Sequence, residues 1–109
     1  MLTVSQIRSL ATKLQTTEYN VAAEYCQHLF LSNLYKSTGS EKLLFKGGTA
    51  LRIAFDSPRF SEDLDFTGVN ISPKHIENLI LESLNNISYA GIEVNLEIKV
   101  FNLGELNKF

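Results

Sequence analysis

The stretch Lys46 to Phe66 reads KGGTALRIAFDSPRFSEDLDF, and its reading decides the fold. "LLFK", Leu43 to Lys46, is a short apolar run stopped by two glycines, as a buried strand would be. "TALRIAF" then reads as a short helix and "DSPRFSE", with Pro58, as a turn-rich connector. "DLDF" reads as a second short strand, with Asp63 and Asp65 on one face and Leu64 and Phe66 on the other.

Glycine admits positive φ and close approach of a ligand to the backbone. A helix N-terminus just beyond offers free N–H groups and the positive end of a dipole. Gly47 and Gly48 at the strand end, with Thr49 at the helix start, therefore suit a phosphate cradle, with the Thr49 hydroxyl as an added donor. A Gly-Gly turn also serves structure alone, and no P-loop is present, because no Gly-Lys-Ser/Thr follows. Two carboxylates converging from one strand face are stable when a divalent cation sits between them, and Mg²⁺ is typically held by one or two carboxylates plus substrate phosphates. An isolated Asp-x-Asp is equally an ordinary polar face. Together the two elements point to one site, one part gripping phosphate and the other the metal that bridges it.

Working outward, "TVSQIRSLATKL" sets Val4, Ile7, Leu10, Ala11 and Leu14 on one helical face, with Thr3 as N-cap. A second helix is expected from about Glu18 to Lys36, burying Ala22, Cys26, Leu29, Phe30 and Leu34, with Gly39 beyond it as terminator. "ISPKHIENLILESLNN" starts cleanly: Ser72 caps, Pro73 takes the first turn and Ile71 staples onto Ile76. "GIEVNLEIKVF" alternates strictly, with Ile92, Val94, Leu96, Ile98 and Val100 facing one way and Glu93, Asn95, Glu97 and Lys99 the other. The order helix, helix, strand, helix, strand, helix, strand predicts an α/β (α+β) domain. Two helices lead into a mixed sheet flanked by helices, in one domain over residues 1–109.

The composition agrees. The chain has 109 residues, 44% hydrophobic and 20% charged, a globular balance. Its net charge of −2 divides unevenly. Residues 1–54 hold six basic and three acidic side chains; residues 55–109 hold four and nine. An overall basic nucleic-acid binder is excluded, and the acidic half suits cations. No apolar run spans a bilayer, no signal-peptide pattern opens the chain, and the one cysteine rules out an internal disulfide. A cytoplasmic location is the expectation. Cys26 reads as a small buried hydrophobe, and His28 and His75 lack ligand spacing.

The glycine turn followed by Asp-x-Asp resembles the nucleotidyltransferase superfamily related to DNA polymerase beta. More closely, "FKGGTALRIAFDSPRFSEDLDF" is similar to the AbiEii/AbiGii toxin branch, whose signature joins Lys-Gly-Gly-Thr-x-Leu to Arg-Phe-Ser-x-Asp-x-Asp-Phe. Lys46 through Leu51 and Arg59 through Phe66 supply every position, and the rest of the chain fits in pattern only. The resemblance implies a nucleotidyltransferase-like fold and Mg²⁺-dependent transfer of NMP from an NTP to a tRNA or protein hydroxyl. The setting would be a type IV toxin–antitoxin or phage-defence system with a cognate antitoxin. It further implies that Gly47, Gly48 and Thr49 contact the triphosphate, and that Asp63 and Asp65 are the catalytic metal ligands. Arg59 would reach a phosphate or pair with Glu62 or Asp63, Ser61 would cap or brace the aspartate strand, and Lys46 would line the pocket or snorkel from the sheet. The family uses a third carboxylate on a later strand, for which Glu93 and Glu97 are the candidates here. It also carries a further helical domain, so the chain is expected to be incomplete at its C-terminus. The alternative is a truncated, non-catalytic module that binds an NTP or a partner.

Overall fold

A computed structural model describes residues 2–57, 60, 63–87, 96–102 and 105–108. Its elements are α1 (Val4–Leu14), α2 (Glu18–Leu34), a 3₁₀ turn (Ser40–Lys42), β1 (Leu43–Lys46), α3 (Gly47–Phe55), β2 (Asp63–Gly68), α4 (Pro73–Asn85), β3 (Glu97–Asn102) and β4 (Glu105–Lys108).

Local chemistry sets the helix starts. Thr3 closes a full capping box: its hydroxyl accepts from the Gln6 N–H at 3.1 Å, and Gln6 Oε1 accepts from the Thr3 N–H at 2.8 Å. Thr17 caps α2 through the Asn20 N–H, and Ser72 caps α4 through the His75 N–H, with Pro73 in the first turn. The α2 helix ends at Leu34, two residues short of the Lys36 expected. The chain then turns through Gly39 at φ +91°, where a Cβ would stand 2.4 Å from the His75 ring.

The sheet runs β1-β2-β3-β4. β1 pairs antiparallel with β2, β2 parallel with β3, and β3 antiparallel with β4. The mixed α+β architecture expected from the sequence is the one observed. The long alternating segment appears as β3 from Glu97; residues 91–95, with Glu93, lie outside the described residues. β4 was not anticipated as a strand, because "NLGELNKF" carries no strong alternation.

Helices α2 and α4 cover one face of the sheet. Phe30, Leu34, Ile76, Leu79 and Ile80 pack with Leu43, Leu64, Phe66, Ile98 and Val100, and Ile71 joins them as the staple required. Phe66 lies between Phe30 and Phe45, at 6.4 and 5.4 Å between ring centroids. Burying each large apolar side chain is worth roughly 1.5–3 kcal/mol, so this face supplies most of the stabilisation. A smaller cluster of Ile7, Ala11, Val21 and Ala22 joins α1 to α2. The ends of the α1 stripe, Val4 and Leu14, stay exposed, because the contact is made by the middle of the helix. Cys26 is buried, which pushes its thiol pKa up.

Strand alternation sends the complementary residues to the opposite face. Leu44 and Lys46 of β1, Asp63, Asp65 and Thr67 of β2, and Glu97, Lys99 and Phe101 of β3 are exposed or half-buried there.

Candidate functional site

Two rows of this open face carry the chemistry. The register places Lys46 beside Asp65 and Asp65 beside Lys99, and in the adjacent row Asp63 beside Glu97. The period of two that buries Leu64 and Phe66 holds Asp63 and Asp65 on one side, as the sequence required.

The glycine turn meets this row directly. Lys46 is the N-cap of α3, in extended conformation, and no side chain caps the helix start. Gly47 follows at φ +86°. A Cβ there would stand 2.6 Å from Oδ2 of Asp65 and 3.3 Å from its Cβ. Glycine is therefore needed twice at this position, for its torsion and for its missing side chain. Gly48 carries no positive φ, so the constraint sits on the first glycine of the pair. The open N-terminus of α3 and the Asp65 carboxylate thus lie side by side.

The Thr49 hydroxyl, expected to add a donor toward phosphate, has another partner. It is buried and donates to the main-chain carbonyl of Asp63, fastening α3 to the aspartate strand. Arg52 fastens the other side of α3. Its guanidinium pairs with both carboxylate oxygens of Glu24 on α2, donates from Nη1 to the Ser57 carbonyl at 2.7 Å and stacks 3.6 Å over the Phe60 ring. One side chain so ties α3, α2 and the connector leading to β2.

Lys99 is the other residue that sequence reasoning left out. Its Nζ donates to Oδ2 of Asp63 at 2.9 Å. That ammonium holds the Asp63 carboxyl below the usual carboxylate range, partly opposed by desolvation and aided in smaller measure by neighbouring Glu97. Asp63 in turn raises the Lys99 pKa. The two side chains are 32% and 33% exposed, so solvent screens the bridge. The signal was present in the alternation, which puts Lys99 on the same sheet face as Asp63 and Asp65 once β2 and β3 pair. Lys46 turns elsewhere, its Nζ standing 5.4 Å from the Phe101 ring centroid.

Asp63, Asp65, Lys46, Gly47, Gly48 and Thr49 therefore converge at one end of the β1–α3–β2 unit. Arg59 and Ser61 lie outside the described residues. Oxygen donors of this kind suit a hard divalent cation, and the Lys99 ammonium already occupies one of them as a cation would. Among the described residues no group of three His, Cys, Asp or Glu side chains is gathered for a metal. No helix among them is long and apolar enough to cross a membrane.

The family model for the nucleotidyl transferase AbiEii toxin of type IV toxin–antitoxin systems matches residues 29–103. That is more than half of the chain, and the chain belongs to this nucleotidyltransferase family. No curated protein and no solved structure matches it at a significant level.

Proposed function

We propose that this chain, as a member of the AbiEii nucleotidyltransferase family, binds an NTP at the N-terminus of α3 and transfers its NMP group to a hydroxyl of tRNA or protein. The observation that carries the reading is the closeness of Gly47 to the Asp65 carboxylate, which sets the glycine turn at the start of α3 beside the aspartate row. Gly47, Gly48 and Thr49 present the first N–H groups of α3 to the triphosphate. The Thr49 hydroxyl sets the height of β2 against that helix, and Lys46 borders the pocket. Asp63 and Asp65 would hold Mg²⁺, with Glu97 beside Asp63 as the nearest further carboxylate. When bound, that cation polarises the α-phosphate and neutralises the leaving pyrophosphate. Asp63 or Asp65 also supplies the carboxylate that accepts the acceptor hydroxyl's proton. Arg59 is the side chain whose planar fork suits a phosphate contact, and Ser61 is proposed to support the aspartates. In a type IV system the activity is restrained by a cognate antitoxin, and its setting is phage defence in the cytoplasm.

A second reading is a binding module that holds NTP and cation without turnover. It is favoured by the absence of a three-carboxylate group among the described residues. Incubation with α-labelled ATP, GTP, CTP or UTP, Mg²⁺ and total tRNA or cell protein separates the two. Label transferred by wild type but not by Asp65→Asn supports the enzyme. Binding of NTP with no label transferred to either acceptor supports the module.

A further inference from the structure

Lys99 stands among the acidic groups of the open face. It is hydrogen-bonded to Asp63 at 2.9 Å and is the register neighbour of Asp65, whose Oδ2 lies against Gly47. Asp63 and Asp65 lie on β2 with Glu97 the register neighbour of Asp63 on β3, and Lys99 is the cation that bonds one of them among the described residues. Lys46, the other flanking lysine, rests over Phe101 instead. A divalent cation entering between the aspartates competes with the Lys99 ammonium for the Asp63 carboxylate, whose Oδ2 that ammonium holds. The displaced ammonium ends a flexible four-carbon stem. The α3 N-terminus, where the triphosphate binds, borders Asp65 on the next strand, and adjacent strands are only about 4.8 Å apart.

We infer that Lys99 is an exchangeable counter-ion: it holds Asp63 while the site is empty, and moves to a phosphate oxygen of the nucleotide when a divalent cation takes the carboxylates. This inference rests on the nucleotidyltransferase reading above. Its consequence is coupling. The cation alone displaces the ammonium from its hydrogen-bonded carboxylate without supplying another anion in exchange, so it binds weakly. With a triphosphate present the ammonium exchanges one anion for another, so cation and nucleotide each strengthen the other's binding by the same factor. Lys99 is here a positioning residue that enforces joint loading of the two ligands.

The test titrates the chain with Mn²⁺, reading free Mn²⁺ by electron paramagnetic resonance. It is run with and without nucleoside α,β-methylene triphosphates, on wild type, Lys99→Met, Lys99→Arg and Asp63→Asn. Lys99→Met is expected to bind Mn²⁺ alone about fivefold or more tightly than wild type, and to lose most of the enhancement that nucleotide confers. Lys99→Arg, which keeps the charge and bonds carboxylates, is expected to bind Mn²⁺ alone no more tightly than wild type. Should Lys99→Met fail to fold, Lys99→Gln carries the same expectation. Mn²⁺ binding that Asp63→Asn abolishes but that loss of the Lys99 charge leaves unchanged overturns the counter-ion role and leaves the metal site standing. Mn²⁺ binding absent from wild type even with nucleotide overturns both.

Discussion

A side-chain carbon placed on Gly47 would stand 2.6 Å from Oδ2 of Asp65, closer than real Cβ atoms come to any neighbour. Gly47 also holds φ +86°, where L side chains are strained. Gly47→Ala should therefore cost about 1–3 kcal/mol of stability and displace the Asp65 carboxylate together with it. Gly48 is helical without that torsion, so Gly48→Ala should leave stability level or raise it by up to about 1 kcal/mol. Gly48→Val is expected to fold and to lose nucleotide affinity by crowding the helix N-terminus. Urea unfolding and NTP calorimetry on the three variants check the asymmetry, and equal losses at both glycines would deny it.

The Thr49 hydroxyl bonds the Asp63 carbonyl in a buried position. Thr49→Val keeps the shape and leaves that carbonyl without its donor, an expected loss of roughly 1–3 kcal/mol. Thr49→Ser should retain most of the stability. If Thr49 acted only on phosphate, the valine variant would unfold like wild type and lose NTP affinity alone.

Arg52 and Glu24 fasten α3 to α2. Either Arg52→Ala or Glu24→Ala should destabilise by roughly 2 kcal/mol, as expected for losing hydrogen bonds to a charged partner. A double-mutant cycle should show coupling, because the second truncation removes a partner already lost. Additive losses in chemical denaturation would mean that the pair contributes nothing jointly.

Acid unfolding reports on Lys99. The folded Asp63 pKa is depressed, chiefly by the Lys99 hydrogen bond. Such a group contributes stability above its unfolded pKa, near 3.9, and loses it as pH falls through the lower folded value. Wild type and Lys99→Met should thus differ in stability at neutral pH and converge below about pH 4. Lys99 has the opposite sign: its pKa is raised, so its contribution is present below the unfolded lysine value and lost as pH rises through the folded one. A constant difference between the two proteins from pH 2 to 7 would show that the bridge is without effect.

Much of this was legible from local pattern. The caps at Thr3 and Ser72, the bounds of β1 and the split of β2 into a wet and a buried face follow from residue chemistry and periodicity. The Asp63–Asp65 face and the glycine turn were visible for the same reason. Which glycine bears the positive φ was not, because the chain there is set by how the strand end meets its neighbours, among them Asp65, eighteen positions away in sequence. Nor was the partner of Thr49, a main-chain carbonyl in another element. Lys99 and Glu24 escaped because their significance depends on strand and helix pairing across 36 and 28 positions. The α1 stripe overreached at Val4 and Leu14, since periodicity shows a helix's apolar face but not how far its partner extends.

The central claim is that Asp63 and Asp65 hold a divalent cation beside the nucleotide. Two carboxylates on one strand face repel each other, and Lys99 offsets part of that in the empty site. Asp65→Asn should therefore leave the empty domain as stable as wild type, or slightly more so. The decisive measurement is thermal unfolding of both proteins across a Mg²⁺ titration with NTP present. The prediction is a melting temperature that climbs with Mg²⁺ for wild type and stays flat for Asp65→Asn. An equal rise in both proteins would contradict it, and so would an Asp65→Asn domain that is several kcal/mol less stable without Mg²⁺, because the aspartate would then be a structural hydrogen-bond hub rather than a metal ligand.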